Sequence, residues 1–528
     1  MSRVDFFLKR LALFLLFLQK YHCKEGKNVV EYKEEGCVGG TAVDRYVKLL
    51  KNTGLITLGT FGSKLLPFLL IRLYTFVLQD GDYNTADLIS QTAKLLLPFA
   101  ALGLTEGLFR LAMEGDENRR KKVFSAGFVL FGGGFAVLVP LLVAAGAVLG
   151  AVGYSFSSYL WLIALYVLCA GLHGLVTQYI RTKDHFAFFS LQGVVNTVLV
   201  AVLNVIFLYF NDFGVTGYVL SVVIADFAVF LLIFVREKLW RDLVPIRSIE
   251  KKIYKEMVAY SAPLIPMAVS WWITAVSDRY MVRFFVEDPN VADYYSAAYK
   301  IPTLVTLLCT VFSQAWNYSS VAENDEEKRS SFFSGVFSFY SGLLFVMGAF
   351  IMAFCKILTA VMMDPSYYTA WEYIPVLAGA TVFSALVTFV GSVYTVRMKS
   401  TFSMWTAMLG AGLNLLFNLL LIPKELFGLP LAGLGAMGAA IATLISYAAV
   451  FLVRALTAGK YVRFKIKVPL LALNVALLAG QILFTTFSGG MAPLLQIGVQ
   501  AAFLLVSMIV NGRELFCKIR TFLNRKRA

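Results

Sequence analysis

The sequence has little charge and few residues suited to metal or disulfide chemistry. Of its 528 residues, 15% are charged and 59% are apolar, whereas soluble globular proteins have about 25% charged residues. The six cysteines are scattered without the spacing of a metal site, so we expect no metal and no disulfide. No G-x-x-x-x-G-K-[ST] phosphate loop occurs, so the chain carries no ATP motor of that type. These absences argue against a soluble enzyme, and we expect no cofactor.

Long apolar stretches recur between Thr53 and Val510. Each has about 20 residues or more, enough for a helix to cross a hydrocarbon core of about 30 Å. A β-barrel would show short segments of alternating hydrophobicity instead. We therefore predict an all-α integral membrane protein of about fourteen transmembrane helices. They are expected to begin near residues 54, 86, 123, 157, 185, 214, 257, 292, 330, 368, 399, 431, 466 and 491.

The basic residues indicate how the chain is oriented in the membrane. The net charge of +15 would suggest nucleic acid for a soluble protein, but here the basic residues lie in short loops between apolar segments. One set of loops includes the basic stretches 119–122 and 236–255, whereas the other set has Lys424 as its one basic residue. We therefore expect both termini and the 236–255 loop in the cytoplasm. We expect the protein to contact membrane lipids and not nucleic acid.

An internal repeat relates the two halves of the chain. Residues 86–94 and 292–300 share the pattern A-D-x-x-S-x-x-x-K, and Arg72 is matched by Arg279 at nearly the same offset. The first six predicted spans thus repeat as spans seven to twelve. Because six is even, both copies have the same orientation in the membrane. The pattern predicts two parallel-related six-helix bundles plus two C-terminal helices, with a substrate path between the bundles.

The predicted spans and loops divide the chain into five parts. Residues 1–42 form an N-terminal extension that fits the rest poorly, either a cytoplasmic extension or translated sequence upstream of the true start. The first bundle covers residues 43–236, and a basic cytoplasmic linker covers 237–256. The second bundle covers residues 257–457. Two additional helices and a basic cytoplasmic tail cover residues 458–528.

Several basic residues fall inside predicted spans at similar depth. An Arg or Lys at the centre of a membrane helix costs about 2.5–3.5 kcal/mol, so these residues are expected to face a hydrated interior. The alternative for the lysines is snorkelling of their ends towards the interface. The candidate substrate-binding residues are Arg72, Lys94, Arg279 and Lys300 at this depth, and Lys64, which lies deeper in its span.

Acidic residues inside the spans are candidates for ion coupling or for a polar cavity. The alternatives are a favourable position in the first turn of a helix and pairing with a nearby base. The coupling ion would be H⁺ or Na⁺. We expect His173 to be a packing histidine and the span asparagines to bond between helices. The acidic candidates are Asp226, Glu106, Asp278, Asp87 and Asp293.

Four stretches, within a likeness that runs from about Asp44 to the C-terminus, carry a family resemblance. They are KNTG at 51–54 with GSK at 62–64, SDRY at 277–280, KIP at 300–302 with QAW at 314–316, and NLLLIP at 418–423 with GAAIAT at 438–443. They resemble the oligosaccharide flippases of polysaccharide biosynthesis, in the superfamily that includes multidrug and toxin extruders and the lipid II flippase. The resemblance implies fourteen helices, a central cavity and export of a polyprenyl-diphosphate-linked sugar across a bacterial cytoplasmic membrane.

The basic candidates agree with that substrate class, since a diphosphate is anionic and arginine can grip phosphate with two hydrogen bonds. We therefore expect an alternating-access flippase for cell-surface polysaccharide and not an enzyme. One alternative is a cation-coupled drug exporter of the same superfamily, which would favour an acidic, aromatic cavity. A lipid II-type flippase is another. A membrane polysaccharide polymerase is less favoured because the external loops are short.

Overall fold

The computed structural model describes most of the chain after residue 69. The described residues are 70–525 except 79–80, 114–115, 152–154, 184–185, 263, 323–325, 397–399, 463–464 and 489–490. They belong to one compact unit, Asn52–Ala528. The N-terminal extension, Lys64 and most of the first expected span lie outside the described residues, as does the side chain of Glu106.

The described part of the first half consists of helices. They are α1 (Ile71–Val77), α2 (Asp82–Ala100), α3 (Leu104–Met113), α4 (Glu117–Ala151), α5 (Leu160–Arg181), α6 (Phe186–Asn204) and α7 (Gly214–Arg236). A 3₁₀ turn at Ser155–Tyr159 precedes α5, and a π-helical segment at Val205–Phe210 continues α6. The 236–255 loop carries two short 3₁₀ turns, Leu239–Arg241 and Ile246–Ser248.

The second half continues in the same manner. Its helices are α8 (Lys251–Ser261), α9 (Leu264–Phe285), α10 (Pro289–Ala298), α11 (Thr303–Ala322), α12 (Glu326–Met362), α13 (Ile374–Val396), α14 (Ser400–Leu421), α15 (Gly435–Ala458), α16 (Val468–Phe487) and α17 (Pro493–Arg525). A 3₁₀ segment, Pro365–Glu372, follows α12. The hairpin between α14 and α15 pairs β1 (Glu425–Leu426) with β2 (Leu429–Pro430) in antiparallel fashion.

Within the described residues, eleven helices are long and apolar enough to cross a membrane. The prediction of an all-α membrane protein is therefore confirmed, while the count of fourteen spans stays a prediction. The expected spans outside these eleven are the first, the second and the eighth. The second is interrupted between α2 and α3, where Leu102 and Gly103 have φ of 48° and 69°. The eighth is interrupted between α10 and α11 at Pro302, which cannot donate a helical hydrogen bond.

The helices pack in two groups. Helices α2–α7, here called the first bundle, pack mainly against one another, and so do helices α9–α15, here called the second bundle. Contacts of α2 with α9 and α10 join the two bundles. Helices α16 and α17 pack against α12 and α13 of the second bundle. The interface formed by α2, α9 and α10 therefore brings together the two copies of the repeated motif.

Ion pairs fasten the loop between the bundles to the first bundle. Lys183 Nζ lies 2.5 Å from Asp242, and Lys122 Nζ lies 2.8 Å from Glu250. Arg119 pairs with Glu256 of α8 at 2.8 Å. Partly exposed pairs of this kind contribute about 0–1 kcal/mol each. Their value here is geometric, because they hold α8 against the basic start of α4.

Amide side chains attach the last two helices to each other. Asn474 of α16 and Asn511 of α17 exchange two hydrogen bonds, of 3.0 and 2.8 Å. Gln481 donates to Gln500 Oε1 at 2.8 Å and to the carbonyl of Ala349 in α12 at 3.0 Å. Apolar side chains in a membrane contact lipid tails as favourably as they contact another helix. Buried hydrogen bonds between polar side chains therefore help to determine which helices pack together.

Candidate functional site

The first turn of α2 is capped by a residue of the other bundle. Its N-cap, Gly81, has φ of 91°, a backbone conformation that favours glycine. The Asp293 carboxylate of α10 accepts hydrogen bonds from the backbone N–H groups of Gly81 at 2.8 Å and Asn84 at 2.7 Å. A helix start leaves such N–H groups without partners inside the helix. Asp293 therefore links α10 to the start of α2 across the bundle interface.

Two more contacts close this end of the interface. Asn84 Nδ2 donates to Ser296 Oγ of α10 at 2.8 Å. The Tyr367 hydroxyl, from the 3₁₀ segment after α12, donates to the carbonyl of Leu78 and lies 3.2 Å from Asp293. We call Gly81, Asn84, Asp293, Ser296 and Tyr367 the gate cluster.

Further along α2, charged residues of both bundles meet. Asp87 forms an ion pair with Arg279 of α9, and Lys300 Nζ lies 3.3 Å from the other Asp87 oxygen. Lys94 interacts electrostatically with Asp87, Lys300 and Arg279. We call Asp87, Lys94, Arg279 and Lys300 the basic cluster. Because it has three bases and one acid, it carries two positive charges in excess.

The basic cluster combines buried and accessible groups. The side chains of Asp87 and Arg279 are 3% and 8% exposed, whereas that of Lys300 is 27% exposed and Lys94 is exposed. The Arg279 guanidinium lies 4.3 Å from the centre of the Tyr299 ring, and its buried Nε has no hydrogen-bond partner. A buried donor without a partner is uncommon in proteins. The Arg279 guanidinium thus has a buried N–H donor whose hydrogen-bonding capacity is unused in this structure.

The neighbouring residue, Asp278, organises the second bundle around this cluster. Its carboxylate accepts from the Tyr295 hydroxyl at 2.7 Å, from the Tyr299 hydroxyl, and from Thr443 of α15 at 3.2 Å. It also accepts from the Arg279 backbone N–H at 2.8 Å. These donors fix the backbone of α9 at Arg279 and hold the Tyr299 ring against the guanidinium.

Asparagines of α14 extend the Asp278 network. Asn414 Oδ1 accepts from Ser277 Oγ at 2.9 Å and from Asn418 Nδ2 at 3.0 Å, and its amide donates to Thr443 at 3.2 Å. Asn414 therefore bonds between helices, as expected, whereas Asn418 reaches a residue of its own helix. Among the described residues, no group of three or more His, Cys, Asp or Glu side chains is placed to hold a metal ion.

A separate polar cluster lies inside the first bundle. Asp226 of α7 is 3.0 Å from His173 Nδ1 of α5 and accepts from Asn196 of α6 at 2.7 Å. His173 Nε2 is 2.8 Å from Gln192 Oε1. His173, expected as a packing residue, thus shares a carboxylate with an interhelical asparagine.

The structure places the predicted residues in different surroundings. It brings Lys94, Arg279 and Lys300 together, but Arg72 is exposed and donates to the Val361 carbonyl of α12 at 2.9 Å. Sequence reasoning did not select Tyr295 and Tyr299 as partners of Asp278. The sequence offered one sign of this role, because Tyr295 and Tyr299 of the second motif copy stand where the first copy has Ile89 and Ala93.

Comparisons with known proteins agree with this architecture. The family described as polysaccharide biosynthesis protein matches residues 49–318, whereas no curated protein matches the sequence. The structure of the lipid II flippase MurJ in an inward closed conformation is similar, with a TM-score of 0.65 at 12% identity, covering 88% of this chain and 99% of that one.

Transporters of the MOP superfamily are similar as well. An outward-facing multidrug resistance MATE family transporter has a TM-score of 0.56 at 15% identity, covering 78% of this chain and 96% of that one. A transporter from Pyrococcus furiosus, for which reverse polarity of the binding pocket suggests a different function, has a TM-score of 0.53 at 15% identity, covering 78% of this chain and 96% of that one. At these identities the likeness shows the fold.

Proposed function

Because the chain belongs to the polysaccharide biosynthesis protein family, we propose that it translocates a polyprenyl-diphosphate-linked oligosaccharide across a bacterial cytoplasmic membrane by alternating access. It is a multi-pass membrane protein with the fold of flippases and transporters. The observation that carries the proposal is the basic cluster at the bundle interface. A diphosphate headgroup is the anionic part of such a lipid, and its tail would remain in the bilayer.

The basic cluster has the chemistry to receive a diphosphate. Arg279 offers a planar guanidinium with an unpartnered Nε, and Lys94 and Lys300 supply accessible ammonium groups. Hydrogen bonds between such cations and phosphate oxygens are shorter and stronger than neutral ones. Asp87 holds Arg279 and Lys300 in place without substrate, and the incoming diphosphate competes with this carboxylate for both cations.

The gate cluster supports an alternating-access cycle. It closes the end of the interface where α2 and α10 begin, which is opposite to the end with the basic loops. If the basic loops are cytoplasmic, the closed end faces outside, and the headgroup enters from the cytoplasm. Outward release then requires Asp293 to leave the α2 helix start and Asn84 to separate from Ser296.

Ligand selectivity separates this proposal from a drug exporter. Purified protein is expected to bind farnesyl diphosphate, a short polyprenyl diphosphate, and not the lipophilic cation tetraphenylphosphonium. Lys94→Gln and Lys300→Gln should each weaken farnesyl diphosphate binding about tenfold, or about 1.4 kcal/mol, because each removes one of the cations. Isothermal titration calorimetry measures both ligands.

Lys356→Gln is the matched control for these substitutions. Lys356 bonds to Gln496 and lies over the Trp371 ring, outside the basic cluster, so its loss should leave farnesyl diphosphate affinity within twofold. Preferential binding of tetraphenylphosphonium would favour the exporter and contradict the proposed flippase. Equal effects of all three lysine substitutions would show that the basic cluster has no special role.

The proposed orientation has a direct test by cysteine labelling. Ser248 is exposed in the loop between the bundles, which precedes α9. Asp288 is exposed just after the opposite end of α9, before α10 begins. A membrane-impermeant maleimide should label Asp288→Cys in intact cells and Ser248→Cys after permeabilisation only. The reverse pattern would place the basic loops outside and overturn the orientation.

A further inference from the structure

The polar cluster inside the first bundle is built for a titrating group. His173 from α5, Gln192 and Asn196 from α6 and Asp226 from α7 form a continuous set of hydrogen bonds of 2.7–3.0 Å. The His173 and Asp226 side chains are 16% and 12% exposed. Placing a histidine and a carboxylate inside a membrane protein is costly, and such residues are usually functional.

The partners of the imidazole determine how many protons it holds. Nδ1 faces a carboxylate oxygen and Nε2 faces the amide oxygen of Gln192. With the Gln192 amide in this orientation both partners are acceptors, so both ring nitrogens donate, which is the charged imidazolium form. Rotating the Gln192 amide by half a turn presents its N–H₂ group to Nε2 instead. The cluster can therefore keep its hydrogen bonds with one or two protons on the ring.

We propose that His173 and Asp226 form a proton-binding site inside the first bundle, with the bound proton on the imidazole. In the loaded form the imidazolium and the carboxylate neutralise each other. In the empty form the imidazole is neutral, and Asn196 remains a hydrogen-bond donor to Asp226.

Other titratable groups of the first bundle interact with Asp226. From α5, Tyr166 and Cys169 interact electrostatically with the carboxylate, and from α2 so does Lys94. Helix α6 contributes the two amides. Of these neighbours, Lys94 carries the positive charge, and it also belongs to the basic cluster.

The proton site can be tested without any substrate. The chain has three histidines, so ¹⁵N-histidine NMR of the purified protein gives few signals. We expect one imidazole to be doubly protonated at pH 7.5, where a free histidine side chain is mostly neutral. His173→Gln should remove this signal, and Asp226→Asn should convert it to that of a neutral ring. Asp212→Asn, on an exposed turn, should leave it unchanged.

Two NMR outcomes would overturn the proton site. One is the absence of a doubly protonated imidazole at pH 7.5 in the wild type. The other is a signal that persists in His173→Gln or stays doubly protonated in Asp226→Asn. The wild-type spectrum decides the first point even if a substitution prevents folding.

Discussion

Arg279→Ala is expected to abolish polymer export in cells and to weaken farnesyl diphosphate binding at least 100-fold, which corresponds to about 2.7 kcal/mol. Arg279 is 7% exposed, pairs with Asp87 and keeps an unpartnered Nε. Arg279→Lys should keep part of the activity, because lysine supplies the charge but not the planar pair of donors. Export is measured as cell-surface polymer at matched expression, and binding by calorimetry.

A paired substitution separates ligand binding from structural support. Removing one partner of a buried ion pair costs about 3–5 kcal/mol, because the remaining charge is left buried; at Asp87 the cost is smaller, since Lys300 remains nearby. Arg279→Gln should therefore lower the thermal unfolding temperature. Adding Asp87→Asn should restore that temperature but not the binding of farnesyl diphosphate. Recovery of both in the double variant would limit Arg279 to a structural role.

A disulfide across the gate cluster is expected to stop transport almost completely. Asn84 Nδ2 and Ser296 Oγ are 2.8 Å apart, so cysteines at these two positions would lie on facing helices at the gate cluster. In the Asn84→Cys/Ser296→Cys variant, oxidation would hold α2 against α10, so outward release of the headgroup becomes impossible. Reduction should restore export to the level before oxidation.

The two single-cysteine variants are the controls for this experiment. Each should export polymer equally with and without oxidant, since neither can form the bond across the interface. The native residues Cys169, Cys309 and Cys355 are buried. If the oxidised double variant exports polymer as fast as the same variant after reduction, α2 and α10 need not separate during the cycle. The alternating-access proposal then fails at this gate.

The repeat identified the important region but not the different tasks of its two copies. Asp87 and Asp293 occupy the same position of the A-D-x-x-S-x-x-x-K pattern. Asp87 pairs with cations of the second bundle, whereas Asp293 caps the start of α2. The repeated pattern shows that both positions carry a carboxylate inside the predicted spans. The partner of each carboxylate depends on how α10 is shifted relative to α2, which no local pattern contains.

The depth of a residue in the membrane was easier to predict than the direction in which its side chain points. Arg72 and Arg279 are equivalent in the repeat and similar in expected depth, since each residue advances a helix by about 1.5 Å. Arg279 nevertheless reaches Asp87, while Arg72 reaches the Val361 carbonyl. The rotation of a helix about its own axis is set by its neighbours, so sequence reasoning grouped residues that the structure separates.

Low charge and long apolar stretches were sufficient to predict a helical membrane protein, because a backbone in hydrocarbon must satisfy its hydrogen bonds within each segment. Which polar groups meet depends instead on how the helices pack in three dimensions. His173 was expected to pack, yet it shares Asp226 with Asn196. Residues from α5, α6 and α7 form that cluster, and their meeting depends on helix packing over distances that sequence periodicity does not describe.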